Sequence, residues 1–153
     1  MNIFVALDRS GSMMGRPWEN AIGSLNEYIG GLKAEKIEGR VTITAFDSNQ
    51  GKTELVTMES SIPYFEALSP EWLQPRGMTP LYDAAASVMD RALAAGGERS
   101  VVVILTDGAE NASREFTQLG VKAKVEAIVA RGWEVFFVGA NFDVGGYTAA
   151  SGL

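Results

Sequence analysis

The chain has 153 residues, of which 46% are hydrophobic and 21% charged, so we expect one folded domain over residues 1–153 and no disorder. It carries 13 basic and 19 acidic residues, and this formal charge of -6 argues against nucleic acids and anionic membranes as partners. Cys and His are absent, which excludes disulfides, thiolate chemistry and histidine catalysis, so any metal must be held by oxygen atoms.

The first half of the chain alternates short apolar runs with one long amphipathic stretch. Residues 3–7 are continuously apolar, which predicts a strand buried on both faces. Apolar residues then recur at helical spacing over 17–32, with Pro17 in a favourable first turn, and predict a helix. Strands are predicted over 41–46 and 52–58. The link between these two is too short for a crossover, so they should pair antiparallel.

The second half begins with an irregular stretch. Residues 62–68 are predicted as a short helix and 70–78 as a loop, because prolines and a glycine interrupt the latter. The remaining predicted elements are a helix over 80–95, a strand over 101–105, a helix over 113–130 with Ser113 as its N-cap, a strand over 135–138, and the start of a last helix over 147–153.

Strands that alternate with helices predict a doubly wound α/β fold. The sheet should be mainly parallel, with one antiparallel edge strand and helices on both faces. Five strands are identified, and the chain stops just as a further helix starts.

Carboxylates and hydroxyls follow the predicted strands at the edge where such sheets form their sites. Asp8, Ser10 and Ser12 alternate directly after the first strand, so their side chains can face one point. Thr79 stands before the helix at 80, and Asp107 follows the strand over 101–105. These are hard oxygen donors of the kind that Mg²⁺ prefers.

Asp8-x-Ser10-x-Ser12, Thr79 within Gly-Met-Thr-Pro-Leu-Tyr-Asp-Ala, and Asp107 within Thr-Asp-Gly together resemble the metal-ion-dependent adhesion site of von Willebrand factor type A (vWA) domains. The resemblance covers nearly the whole chain and implies the same doubly wound fold. It implies Mg²⁺, with Mn²⁺ or Ca²⁺ as alternatives, held by Ser10, Ser12 and Thr79. Asp8 and Asp107 would act largely through water and hydrogen bonds, and a protein partner would supply a carboxylate as the remaining ligand.

Two features depart from the family pattern. The closing strand and helix usual in the family are not identified. Pro80 follows Thr79 directly, so Thr79 also suits a helix N-cap.

These features predict a non-catalytic protein-binding module. If neutral hydroxyls are the direct ligands, the cation keeps most of its charge and attracts an external carboxylate, whereas two direct aspartates would quench that attraction. The absence of Cys and of a signal peptide favours a cytoplasmic prokaryotic or phage protein. The resemblance further suggests an adaptor in a complex with an AAA+ ATPase.

Two alternatives stay open. One is a metal-dependent phosphoryl-transfer enzyme that uses Asp8 as its nucleophile. Against it, phosphatases of that style carry a second aspartate where Ser10 stands, and no lysine follows the relevant strands as phosphoacceptor receiver domains require. The other alternative is a structural subunit whose metal braces the loops.

Other residues near the strand ends have plainer interpretations. Asp47 is interpreted as a hairpin residue rather than a ligand. Arg9 and Arg76 are interpreted as solvated loop charges rather than as groups that flank the metal and attract an acidic partner. Trp18 is assigned to the core. Four apolar residues either rim a partner surface or pack a loop: Tyr64, Phe65, Trp72 and Leu73.

Overall fold

The computed structural model describes residues 1–49, 52–95, 99–106 and 118–138. Its strands are β1 (Asn2–Asp8), β2 (Arg40–Asn49), β3 (Lys52–Ser61), β4 (Ser100–Leu105) and β5 (Glu134–Val138). Its helices are α1 (Arg16–Ala34), α2 (Leu81–Ala95) and α3 (Gln118–Ala130).

The strands form one sheet in the order β3-β2-β1-β4-β5. β1 pairs in parallel with β2 and β4, β4 pairs in parallel with β5, and β3 pairs antiparallel with β2. The chain therefore leaves β1 toward one side of the sheet and later returns to its other side, so the strand order reverses at β1. The predicted doubly wound fold with one antiparallel edge strand is confirmed.

Alternation along the central strand divides the core into two layers. Ile3, Val5 and Leu7 pack in the cluster that contains the buried face of α1, whereas Phe4 and Ala6 pack in the cluster of α2 and α3. Burial of each large apolar side chain contributes about 1.5–3 kcal/mol. Helices thus cover both faces of the sheet, as the sequence predicts.

α1 begins and packs as its sequence pattern indicates. Gly15 precedes it with a φ of 84°, and Pro17 lies in the first turn, where a missing N–H costs nothing. Trp18, Ile22 and Ile29 are among its buried residues. The assignment of Trp18 to the core is therefore correct.

The predicted helix over 62–68 is wrong. The structure has one 3₁₀ turn, Ile62–Tyr64, and a second one, Pro70–Trp72, inside the predicted loop. The chain between these turns is held along α1 instead. Asn26 Nδ2 donates to Leu68 O at 2.8 Å, and Leu68 N donates back to Asn26 Oδ1 at 2.7 Å. A backbone satisfied by side chains of a neighbouring helix does not need helical hydrogen bonds of its own.

Side chains of this stretch mostly pack rather than rim a surface. Phe65 is buried, and Trp72 and Leu73 pack partly buried against the cluster around α1. Tyr64 is 82% exposed.

Some predictions fall on residues that the structure does not describe. The start of the third helix at Ser113 and the last helix over 147–153 lie outside the described residues, and the single domain over 1–153 stays a prediction. Within the described ranges, no helix is both long and apolar enough to span a bilayer.

Candidate metal centre

Asp8 and Thr106 meet because β1 and β4 are parallel neighbours. Leu7 aligns with Leu105 in the register, so Asp8 at the end of β1 lies level with Thr106, just after β4. By alternation both residues belong to the face that α2 and α3 cover. The fold thus directs a carboxylate and a hydroxyl toward the start of α2, which Thr79 precedes.

Asp8 organises the turn that follows β1. Its side chain is fully buried. Oδ1 accepts a hydrogen bond from Ser10 N at 2.7 Å, and Oδ2 accepts one from Thr106 Oγ1 at 2.7 Å. A carboxylate that bonds its own backbone two residues on folds the chain into a tight turn. Both oxygens are engaged, so Asp8 fixes the positions of the surrounding groups.

Three hydroxyl groups are connected by hydrogen bonds beside Asp8. Thr79 Oγ1 donates to Ser10 Oγ at 2.9 Å, and Ser10 Oγ lies 3.1 Å from Ser12 Oγ. Ser10 and Thr79 are buried, whereas Ser12 is exposed. We call these three residues the hydroxyl triad. Its oxygens run from the interior to the surface and join two stretches far apart in sequence.

The donor set of the hydroxyl triad fits a small, hard cation. Its ligands would be neutral oxygens, which Mg²⁺ accepts alongside water. Across the described ranges, no group of three or more acidic side chains is placed to hold a metal. A cation at the triad would therefore keep much of its charge. Asp107, the fifth predicted site residue, lies outside the described residues, directly after Thr106.

The loop that carries Thr79 is fastened to the ends of β1 and β2. We call residues 74–79 the Thr79 loop. Gly11 N donates to Gly77 O at 3.0 Å, and Ser48 and Met78 exchange backbone hydrogen bonds of 3.0 Å in both directions. Gly77 has a φ of 71°, and a Cβ there would collide with Ser48 O. This close approach requires glycine.

Charged side chains support the same loop. Arg9 is 7% exposed, and its Nε and Nη2 donate to Gln74 O at 3.2 and 2.8 Å. Arg76 Nε donates to Asp47 Oδ2 at 2.8 Å, and Arg76 also pairs with Glu54. The interpretation as a solvated loop charge is therefore wrong for Arg9, which is buried. Arg76 is an exposed loop charge, with 43% of its side chain accessible, that also pairs with the neighbouring strands.

The electrostatic environment of these groups follows from burial and pairing. Burial lowers the pKa of Arg9 below its ordinary value, and the nearby Asp47 carboxylate opposes that shift. The hydrogen bond to Asp47 raises the pKa of Arg76. Asp47 lies within β2, level with Glu54 on β3, and its side chain is fully buried. It is thus a residue of the β2–β3 hairpin, as interpreted, and it acts there as a buried hydrogen-bond acceptor.

Two features of this centre were not among those predicted from the sequence. The hydroxyl of Thr106 was overlooked beside Asp107, although the parallel pairing of the first and fourth strands would place it level with Asp8. The bond between Asp47 and Arg76 joins residues 29 positions apart and has no local pattern that would predict it.

A family model described as von Willebrand factor type A domain matches residues 2–147 of the chain. The chain belongs to the von Willebrand factor type A family. The vWA fold inferred from the resemblance is thereby confirmed, together with its mainly parallel sheet and its covering helices. A search of curated proteins for relatives gave no match.

Solved structures with this fold include three that align with the vWA chain at low identity. One holds three N-terminal domains of the type V pili tip protein Mfa5 from Porphyromonas gingivalis, with 14% identity and a TM-score of 0.52, over 71% of this chain and 20% of that one. Another is the pilus adhesin SpaC from Lactobacillus rhamnosus GG in an open conformation, with 9% identity and a TM-score of 0.52, over 90% and 23%.

The third is a von Willebrand factor type A structure from Catenulispora acidiphila, with 12% identity and a TM-score of 0.52, over 90% of this chain and 32% of that one. At such identities the likeness shows the fold alone. The vWA chain spans between a fifth and a third of the length of these three structures.

Proposed function

We propose that this vWA domain is a non-catalytic binding module that recognises an acidic group on a protein partner through Mg²⁺. The observation that carries the proposal is the hydroxyl triad, whose oxygens lie 2.9 and 3.1 Å apart at the carboxyl edge of the sheet. Ser10, Ser12 and Thr79 would hold the cation. Mn²⁺ or Ca²⁺ would be alternatives, and Asp107 is proposed to take part through water.

Charge balance gives this site its proposed chemistry. Neutral hydroxyls leave a divalent cation under-neutralised, and when bound it supplies strong attraction for an external carboxylate. Asp8 contributes one negative charge from within, where hydrogen bonds to Ser10 N and Thr106 Oγ1 engage both of its oxygens. The role of Asp8 is to fix the turn and the orientation of Ser10.

The surroundings of the hydroxyl triad suit contact with a protein. Met14 and Met78 are 66% and 51% exposed, and they flank Ser12 and Thr79 in sequence. Methionine side chains adapt to irregular partner surfaces. Two structures with this fold are, by name, a pilus adhesin and a pilus tip protein, which supports an adhesive role. Association with an AAA+ ATPase complex and a cytoplasmic location stay predictions.

The alternative of phosphoryl transfer is disfavoured by the placement of Asp8. A nucleophilic carboxylate needs an oxygen that can reach the substrate. Asp8 is fully buried, and each of its oxygens accepts a hydrogen bond of 2.7 Å. A metal that merely braces the loops is the remaining alternative, and it predicts metal binding with no carboxylate-dependent partner.

A capture experiment tests the proposal. The immobilised chain is exposed to host lysate with Mg²⁺ or with EDTA, beside the variants Ser10→Ala and Ser100→Ala. Ser100 is a matched control because it too is a buried serine, but it lies at the opposite end of β4, and its Oγ has no partner among the described residues.

We expect a partner retained by the natural chain and Ser100→Ala in Mg²⁺ and lost in EDTA or with Ser10→Ala. Blocking lysate carboxylates by carbodiimide amidation should abolish capture as well. The same captured proteins in every arm would contradict the proposal. Metal binding without any carboxylate-dependent capture would favour the bracing role.

A further inference from the structure

We propose that the ion pair between Arg76 and Asp47 positions Thr79 for the cation, so that metal affinity depends on a charge pair outside the hydroxyl triad. This inference rests on the proposed function, since it concerns the same site. It assigns Arg76 and Asp47 as positioning residues that act through the Thr79 loop.

Arg76 ties the Thr79 loop to two strands at once. Its backbone N donates to Arg9 O at 2.7 Å, just beyond β1, and its side-chain Nε donates to Asp47 Oδ2 at 2.8 Å, near the end of β2. Thr79 follows three residues later, and its hydroxyl reaches Ser10 Oγ. A residue held at both its backbone and its side chain fixes the path of the chain that leads to Thr79.

Asp47 is an unusual anchor for a structural contact. Its side chain is fully buried, Oδ2 accepts from Arg76, and Oδ1 has no hydrogen-bond partner among the described residues. A buried, half-satisfied carboxylate is unfavourable for stability, and an apolar residue would pack there at lower cost. The presence of Asp47 is better explained by its bond to Arg76 than by a contribution to the free energy of folding.

Asp47 also lies directly against the turn of the Thr79 loop. A Cβ added to Gly77 would lie 3.2 Å from Asp47 Oδ2, so the carboxylate and the glycine backbone are in close packing. Displacement of Asp47 or Arg76 would therefore move the segment that ends at Thr79.

The two possible roles of Arg76, through its charge or through its contacts with the loop, predict opposite changes in Mg²⁺ affinity when its side chain is replaced. Arg76 brings positive charge close to the site, so if it acted through its field alone, its loss would tighten the binding of a divalent cation. If it holds Thr79 in place, its loss weakens that binding. The sign of the change in affinity therefore separates the two roles.

The experiment is a calorimetric Mg²⁺ titration of the full chain and its Arg76→Gln variant. The control is Arg91→Gln, because Arg91 pairs with Glu59 at 2.8 Å and its side chain is 47% exposed, compared with 43% for Arg76. The double variant Asp47→Asn with Arg76→Gln removes both charges of the pair together, and it serves if Arg76→Gln alone fails to fold. Amide hydrogen exchange at Met78, whose N donates to Ser48 O at 3.0 Å, gives a second readout in the metal-free chain.

We expect Arg76→Gln to raise the Kd for Mg²⁺ about 10- to 100-fold, the range seen when groups that orient metal ligands are removed. Exchange at the Met78 amide should quicken, and the Arg91→Gln chain should behave as the natural one does. Unchanged or tighter Mg²⁺ binding in Arg76→Gln would overturn the inference while leaving the proposed function intact. Absence of Mg²⁺ binding in the natural chain would overturn both.

Discussion

Replacement of Thr79 by valine removes one hydroxyl from the hydroxyl triad and leaves the shape of the side chain almost unchanged. Thr79 is 3% exposed, and its Oγ1 donates to Ser10 Oγ at 2.9 Å. Valine keeps the branched side chain but supplies neither the donor nor the oxygen that would contact a cation. The variant therefore separates the chemistry of this position from its packing.

The structure sets two magnitudes for Thr79→Val. Loss of one neutral hydrogen bond lowers the free energy of unfolding by about 0.5–1.5 kcal/mol. The cost stays in this range because Ser10 Oγ, which lies 3.1 Å from Ser12 Oγ, is not left without a hydrogen-bond partner. Loss of one of three direct protein ligands should cost more in metal affinity. We expect the Kd for Mg²⁺ to rise at least tenfold, which corresponds to about 1.4 kcal/mol.

Thr44→Val is the matched control for this variant. Thr44 is likewise 3% exposed and hydroxyl-bonded, with its Oγ1 lying 3.2 Å from Thr57 Oγ1, but it lies along β2. Urea unfolding should give a similar loss of stability for both variants. Calorimetric titration should give weakened Mg²⁺ binding for Thr79→Val alone, and equal Mg²⁺ affinity in the two variants would refute the assignment of Thr79 as a ligand.

Three further predictions follow from the same structure. Mg²⁺ at about 100 times its Kd should raise the free energy of unfolding of the natural chain by about 2.7 kcal/mol and its Tm by about 5–10 °C. EDTA should reverse this shift, and a Tm that does not change with Mg²⁺ would contradict metal binding. Gly77→Ala should destabilise by about 1–3 kcal/mol in urea because its φ is 71° and its Cβ meets Ser48 O, whereas Gly23→Ala in open space on α1 should stabilise slightly; equal effects would refute the argument. Asn26→Ala should lower the free energy of unfolding by about 1–3 kcal/mol, because it removes the two hydrogen bonds that Asn26 makes with Leu68 N and Leu68 O. A loss of stability below about 0.5 kcal/mol would show that α1 does not hold that segment.

Local periodicity was sufficient to predict most of the fold. The apolar run before Asp8 and the helical spacing after Pro17 each occupy one continuous stretch, so their secondary structure depends on nearby residues. The short link between the second and third strands likewise predicted antiparallel pairing. The predicted strands and helices were therefore sufficient to identify the edge of the sheet at which the polar residues lie.

Contacts between distant residues could not be predicted in the same way. The stretch over 62–68 is apolar enough for a helix, yet Asn26, 42 residues away, satisfies the backbone of Leu68. Arg9 is buried, and Gln74 O, 65 residues away, accepts hydrogen bonds from two of its guanidinium nitrogens. Such bonds depend on the tertiary arrangement, which local spacing does not encode.

The candidate site was predictable to the extent that its motif is compact. Asp8, Ser10 and Ser12 lie within one turn, and Ser10 Oγ is hydrogen-bonded to Ser12 Oγ and Thr79 Oγ1, whereas metal binding by these residues stays a prediction. The motif gave no indication of the supporting groups, because Arg76 and Asp47 act on Thr79 through the loop rather than through the site itself.

The most direct test of the account is a crystal structure of the chain soaked with Mn²⁺, located by its anomalous scattering. We expect one strong peak about 2.1 Å from Ser10 Oγ, Ser12 Oγ and Thr79 Oγ1, with a water or an external carboxylate as a further ligand. A saturating soak whose anomalous peaks all lie away from these three oxygens would contradict it.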